Sequence, residues 1–459
     1  MAKYSLEPVK VPPVNTKYRR IVTSLPVPES LPVFQQLTES EPVSMMGQPP
    51  VVWDKAEGFQ VYDKWGNMWI DWSSGVLITN AGHGRKEIIE ALQKVIDRKL
   101  LATYVFVHEK RAELTKMLQS LSPDPKSYQV FLLSTGSEAT ENCIKLAKTY
   151  ALEKHGPKKK YLVSFTNAFH GRTMGAQLAG GNPRLKTWIV DEGKTFIQVP
   201  FPDGYKNENI SFDLFTDTLK QQGINPGDIA GVMTESYQGV GPDFLPVEYA
   251  GKLETFCREN DIITIFDEVQ SGFGRTGKMF CYEHYGIRPD LIACGKGISS
   301  SLPLSAVIGR KDIMSLYGPG SMTSTHSGSP LPVVAAVENL KIIIREKLVD
   351  NARKMGDIMI PELKRIRDKY PDILGCLQGK GLVAGIQVVK KGTKIPDSET
   401  AVKINEKCFQ KGLLMFAPVG IAGECLKIAP PLVITEDALK ESIAVFEEAC
   451  DEILGKIYK

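Results

Sequence analysis

Lys296 stands in Asp290-Leu-Ile-Ala-Cys-Gly-Lys-Gly-Ile-Ser-Ser-Ser, where an apolar, strand-like run delivers one amine into a loop of small residues. A neutral amine condenses with an aldehyde to a Schiff base, and partial burial favours the neutral form because it penalises the ammonium. Upstream, Ile262-Ile-Thr-Ile-Phe reads as a buried strand with Asp267 at its end. A carboxylate there needs a partner: a helix to cap, an arginine such as Arg275, or a protonated ring nitrogen. A third turn, Ser134-Thr-Gly-Ser-Glu, joins the apolar run Tyr128 to Leu133 to a stretch, Thr140 to Tyr150, with apolar residues at helical spacing. A strand-to-helix turn of this kind offers unpaired N–H groups and a positive dipole end to a phosphate, with Gly136 permitting close approach and Ser137 adding a hydroxyl. Each feature alone has an ordinary structural explanation. Jointly, an amine for an aldehyde, an acid for a ring nitrogen and a phosphate cradle match the three reactive parts of pyridoxal 5′-phosphate (PLP). Gln270, just beyond Asp267, then falls where it would hydrogen-bond the ring's phenolic oxygen.

The three turns need a scaffold that brings strand ends together. Short apolar runs recur at Val130 to Leu133, Tyr161 to Phe165, Phe196 to Val199, Gly231 to Thr234, Ile262 to Phe266, Leu291 to Ala293 and Ala306 to Ile308, with amphipathic stretches between them. That rhythm predicts an α/β fold, a mostly parallel seven-stranded sheet with helices on both faces, filling a large cofactor-binding domain over residues 76–330. Residues 1–75 are expected to form an N-terminal arm and part of a small domain. The first fifty are Pro-rich and without sustained periodicity, as an extended arm on a neighbouring surface would be. A hairpin is expected around Lys64-Trp-Gly-Asn and a helix from Lys86 to Lys99. Long helical patterns, Leu331 to Glu346 and Asn351 to Tyr370, open a C-terminal small α+β domain over 331–459.

Bulk composition narrows the field. A chain of 459 residues with 42% hydrophobic content is long enough for two cores. Its formal charge of +3, from 56 basic and 53 acidic residues, gives no reason to expect nucleic acid, and the one tight basic run, Lys158 to Lys160, suits a solvated turn. Eight cysteines without a Cys-x-x-Cys pair and six scattered histidines suggest neither a metal site nor a disulfide framework, so a reducing compartment is expected. The opening Met-Ala-Lys-Tyr-Ser-Leu lacks a signal-peptide core, and no run has the length of a membrane span, so the expected location is cytoplasmic.

With those residues in hand, the sequence from about residue 45 onward resembles the class III aminotransferases, the ω-aminotransferase branch of the PLP-dependent enzymes of fold type I. The resemblance rests on Ser134-Thr-Gly-Ser-Glu-Ala-Thr-Glu-Asn, Phe169-His-Gly-Arg-Thr, Phe266-Asp-Glu-Val-Gln-Ser-Gly-Phe-Gly-Arg-Thr-Gly, Gly295-Lys-Gly and Pro430-Pro-Leu. It implies that Gly136 and Ser137 bind the phosphate, Phe169 stacks on the ring with His170 among the cofactor contacts, Asp267 pairs with the ring nitrogen, Val269 packs the other face and Lys296 forms the imine. Glu235 matches a glutamate near the lysine and is grouped with the catalytic residues. Thr325 matches a threonine that reaches the phosphate of a partner subunit, which implies a homodimer with shared active sites, or a tetramer built from it. Val76 matches a substrate-pocket position. Trp53, Trp72 and Tyr104 are further candidates to line that pocket, with core packing the expected role of each.

Two departures concern the substrate. Many members that use glutamate and 2-oxoglutarate carry an arginine before Pro-Pro-Leu for the α-carboxylate and a glutamate after Gln-Gly that covers it. Here those positions hold Lys427 and Val240. Lysine is a point charge without the bidentate fork, and valine supplies no counter-ion. Lys427 reads equally as a carboxylate contact or an exposed strand lysine. The proline and asparagine usual in the family are Ser236 and Ser329. The resemblance therefore implies transfer of an amino group from an amine or ω-amino acid of the 4-aminobutyrate, β-alanine or taurine type to a keto acid, with pyruvate favoured over 2-oxoglutarate. An amino-acid racemase or epimerase of the same family is the alternative.

Overall fold

Short runs rich in β-branched and aromatic residues become seven strands of one sheet: β1 (Tyr128–Leu133), β2 (Tyr161–Phe165), β3 (Phe196–Val199), β4 (Ile229–Glu235), β5 (Ile263–Asp267), β6 (Leu291–Cys294) and β7 (Ser305–Arg310). They are seen in a computed structural model that describes residues 4–190 and 193–458. Across the sheet the order is β1-β7-β6-β5-β4-β2-β3. β7 runs antiparallel to both its neighbours, and every other pairing is parallel. Since β1 and β6 are each antiparallel to β7, β1 points the same way as β2 to β6. All six therefore deliver their C-terminal ends to one edge, where open α/β sheets bind ligands.

Burial of both faces explains why the central strands lack polar alternation: every residue of β4, β5 and β6 is buried. Helix α1 (Lys86–Asp97) and α2 (Glu109–Ser120) precede the sheet, and α3 (Gly136–His155) follows β1. α3 sets Ala139, Cys143 and Ala147 at four-residue spacing against Leu133, Ile263, Ile265, Leu291, Ala293 and Val307, a face of small side chains that admits close packing on the sheet. Its start is fixed by a capping box. The Thr135 hydroxyl accepts the Glu138 N–H at 3.3 Å, and the Glu138 carboxylate accepts the Thr135 N–H at 3.1 Å.

The chain divides into two compact units, Lys86–Val349 with the seven-stranded sheet, and the described residues of Met1–Arg85 and Asp350–Lys459. The unit boundaries thus differ from the expected 76 and 330. Helix α4 (Pro330–Arg345), expected in the small domain, groups with the sheet-bearing unit, where it packs on α1 and α2 and buries ten of its residues. Its Asn339 donates to the carbonyls of Gly297 at 2.9 Å and Ile298 at 2.8 Å, beside Lys296.

In the other unit, Lys55–Glu57, Gln60–Tyr62 and Met68–Asp71 form the expected hairpin region, and Leu374–Lys380, Val383–Val388 and Cys425–Ile428 form an antiparallel three-stranded sheet. The first fifty residues are more than an extended arm. They contain the strands Val14–Asn15 and Arg20–Ile21 and a helix, Leu31–Ser40, and they bury Ile21, Leu25 and Val27 with Val61, Trp69, Phe409 and Leu414. Those apolar residues outweigh the Pro-rich composition that suggested no packing. Of the three aromatic residues assigned to core packing, only Trp72 fits: it is fully buried, with its indole N–H donating to the Ser442 hydroxyl at 2.9 Å. Trp53 and Tyr104 are 42% and 43% exposed. The basic run at 158–160 is likewise only partly solvated, since Lys159 is buried and donates to the Asn260 carbonyl. Among the described residues no helix is long and apolar enough to cross a membrane.

Candidate active site

Strand register sets the first two groups side by side, because Glu235 at the end of β4 pairs directly with Asp267 at the end of β5. Both are buried. Asp267 does not stand alone: Oδ2 lies 2.8 Å from His170 Nδ1, and Oδ1 accepts the Val269 N–H at 3.0 Å. His170 is buried with Nε2 lacking any partner. A proton on Nε2 would be a buried donor with nothing to accept it, so the ring donates from Nδ1 to Asp267. The carboxylate is thereby oriented while remaining an acceptor for a cationic group.

β6 ends one residue before Gly295, and Lys296 then takes a left-handed backbone, φ 43°. A non-glycine residue in that region is uncommon and persists only where its surroundings hold it. Here the turn Lys296–Ile298 is held by Asn339. Lys296 is half-buried. Burial lowers its ammonium below the ordinary lysine range, and the carboxylates of Asp267 and Glu235 oppose that shift.

The third turn closes on the same place. A Cβ on Gly136 would lie 2.9 Å from Val269 Cγ1, so only glycine lets the start of α3 approach the loop after β5 so closely. The cap satisfies the N–H groups of Ser134, Thr135 and Glu138, and Gly136 and Ser137, in the first turn, line the space left between the strand ends. Nine of the expected residues, Gly136, Ser137, Phe169, His170, Glu235, Asp267, Val269, Gln270 and Lys296, line a single cavity of about 230 Å³ together with Thr135 and Gly171. Outside it, the Arg172 guanidinium lies 5.5 Å from the Phe169 ring centroid.

The remaining expected residues lie elsewhere. Thr325 is exposed in the loop before α4, and Val240 is half-buried in the turn between Tyr237–Gln238 and Asp243–Phe244. Val76 and Lys427 belong to the other unit. Val76 is 44% exposed on a left-handed turn, Ser74–Leu77. Lys427 is 2% exposed, so the exposed-lysine reading does not hold.

Sequence reasoning missed Glu268, the neighbour of Asp267. It is fully buried and accepts from the Ser236 and Ser271 hydroxyls and from the N–H groups of Cys281 at 3.0 Å and Tyr282 at 2.8 Å. Burial pushes its carboxyl up to about 7 against the pull of those four donors. The serine at 236 has a local use, since a proline there would supply no hydroxyl. An acidic pair at the end of a buried strand was the available signal.

The cavity fits PLP by its own donors: a carboxylate held by a histidine, a lysine disfavoured as ammonium, and a helix N-terminus made accessible by glycine. On a parallel sheet of this order, that combination places the protein among the PLP-dependent enzymes of fold type I. Residues 43–450 match the family model of the class-III aminotransferases. The chain belongs to that family and is a PLP-dependent aminotransferase. It is 31% identical over 406 residues to an acetylornithine aminotransferase of Caldanaerobacter subterraneus subsp. tengcongensis, covering 88% of this chain and 95% of that one. It is 30% identical over 439 residues to a 4-aminobutyrate aminotransferase of Mycobacterium leprae, covering 93% and 97%, and 29% identical over 475 residues to an alanine/serine racemase of Pyrococcus horikoshii, covering 99% and 97%. Among solved structures, the ornithine aminotransferase of Toxoplasma gondii, described with partial occupancy of PLP at its active site, superimposes with a TM-score of 0.82 at 25% identity, covering 95% and 97%.

Proposed function

We propose that the protein moves an amino group from an amine or ω-amino acid, of the 4-aminobutyrate, β-alanine or taurine type, to a small keto acid, with pyruvate preferred to 2-oxoglutarate. The observation that carries the reading is the convergence of Lys296, the Asp267–His170 pair and the Gly136–Ser137 turn on one cavity. PLP bound there supplies an aldehyde for the amine and an electron-accepting ring. Gly136, Ser137 and the α3 dipole would hold its phosphate, Phe169 and Val269 would pack against the ring, and Gln270 would serve its phenolic oxygen. Asp267, oriented by His170, holds the ring nitrogen protonated. Lys296 Nζ would be the amine that holds the aldehyde and the base that moves the substrate proton.

The keto-acid preference is supported by the sequence, which has valine at 240 and lysine at 427 where many family members have glutamate and arginine. Without a glutamate–arginine pair, a second carboxylate such as that of 2-oxoglutarate meets no bidentate partner, and a one-carboxylate acceptor loses less. Donor preference is supported by the relative named for 4-aminobutyrate. A homodimer is supported by the exposed stretch Leu101, Tyr104, Val105, Phe106 and Val107, the last two 76% and 88% exposed. In such a dimer Thr325 of each subunit would reach its partner's phosphate site. Eight free cysteines suit a reducing compartment, here the cytoplasm.

The test loads the protein with PLP, reduces it with borohydride and locates the label by mass spectrometry, then screens amine donors and keto acids. The label is expected on Lys296, and pyruvate should be turned over faster than 2-oxoglutarate. A label elsewhere overturns the site, and the opposite keto-acid order overturns the role given to Val240 and Lys427. The relative named as an alanine/serine racemase gives a second reading, isomerisation by the same groups. Enantiopure alanine incubated without any keto acid separates the two: inversion supports the isomerase, and an unchanged enantiomer the transferase.

A further inference from the structure

Glu235 was grouped with the catalytic residues on resemblance, but its contacts are of another kind. Its Oε2 accepts the Phe169 N–H at 2.9 Å, and its Oε1 accepts the Gly239 N–H at 2.8 Å. Both oxygens are thus engaged by main-chain donors from two different loops. One loop carries Phe169, which lines the cofactor cavity. The other is the hairpin Tyr237–Gln238 with Asp243–Phe244, whose turn carries Val240.

Two further ties join the same parts. Gln238 Nε2 donates to the Thr166 carbonyl at 2.7 Å, linking the hairpin to the segment leading into Phe169. The Tyr237 hydroxyl donates to the Gln270 carbonyl at 3.1 Å, and the place where a Cβ on Gly239 would stand is filled by the Gln270 side chain. The hairpin is therefore fastened to Phe169 and Gln270 at once, and Glu235 is the one charged member of the fastening. With Glu235 ionised, its burial makes the charge-assisted bonds strong and leaves no solvent to replace them.

We infer that Glu235 is a positioning residue: its carboxylate pins the cofactor-facing turn at Phe169 to the hairpin bearing Val240, which is itself tied to Gln270, so that Phe169 and Gln270 keep one register across the cavity. The inference rests on the proposed aminotransferase site and deepens it. An amine donor and a keto acid use the same cavity in turn, and the fastening keeps Phe169 and Gln270, which line it, in one place for both. Proton transfer stays with Lys296.

The test is Glu235→Gln, whose amide oxygen can serve one N–H and whose NH₂ opposes the other. In both PLP-free and PLP-loaded protein, hydrogen exchange in the peptides holding Phe169 and Gly239 should quicken by about tenfold or more, while β5 stays protected. The KM for donor and for keto acid should rise by about tenfold, with kcat falling less than about threefold and the α-deuterium isotope effect unchanged. Unaltered exchange at both peptides overturns the pinning role, and so does a collapse of kcat at unchanged KM, which would make Glu235 a proton-transfer group. Should that variant not fold, Gln238→Leu cuts the parallel tie and leaves the carboxylate in place. It must give the same KM-weighted loss, and a loss confined to kcat, or none, counts against the inference. If the wild-type protein turns over no donor and acceptor, the aminotransferase reading fails while the exchange measurement still decides the role of Glu235.

Discussion

Lys296 can attack an aldehyde only while neutral, and its environment sets how much of it is. Burial lowers its pKa, and the Asp267 and Glu235 carboxylates raise it in part. Trapping of PLP by borohydride on the PLP-free protein should therefore reach half its maximum at a lower pH for Lys296 than for surface lysines. Glu235 is itself pushed up to about 7 by burial, so it bears its charge above that pH. Glu235→Gln removes a charge that favours the ammonium, and the trapping midpoint should move to still lower pH; a move upward would contradict this sign. Much of this chemistry is legible in the sequence, because an amine, a carboxylate and a Gly-Ser turn each announce their use by type and by position after an apolar run. What is not legible is who holds them. The bond from His170 to Asp267 joins residues far apart in the chain, and no periodicity or spacing encodes it.

Elements carry the second layer of that support. The seven apolar runs map onto seven strands because strands buried on both faces need continuous apolar sequence, whereas the two-residue strands Val14–Asn15 and Arg20–Ile21 are too short to leave a pattern. Helix α4, expected in the small domain, groups instead with the sheet-bearing unit, since helical periodicity says which face is buried and nothing about which elements receive it. Glu268 shows how the loops after β4 and β5 are joined, through Ser236, Ser271 and the N–H groups of Cys281 and Tyr282. Glu268→Ala leaves the two main-chain donors buried and unpaired, which should cost on the order of 3 kcal/mol in stability. Glu268→Gln, keeping an acceptor, should lose clearly less. Urea unfolding compared at equal slope checks both, and an alanine variant within about 0.5 kcal/mol of wild type would show the network to be dispensable.

At the scale of the molecule, the order β1-β7-β6-β5-β4-β2-β3 leaves β1 joined to the sheet through β7 alone. The Ser305 hydroxyl adds a bond to the Thr135 carbonyl at 2.6 Å, beside Gly136 and Ser137. β1 ends at residue 133 and β7 begins at 305, so the pairing is strongly non-local. During translation Lys296 leaves the ribosome before β7, the strand that steadies the Thr135 turn across the cavity. A ribosome-stalled chain displaying residues through 300 should therefore fail to retain the cofactor although its lysine is present, and one displaying residues through 349 should retain it, as fluorescence of the bound vitamin would report. Late capture of this kind would keep half-made chains from sequestering a scarce aldehyde.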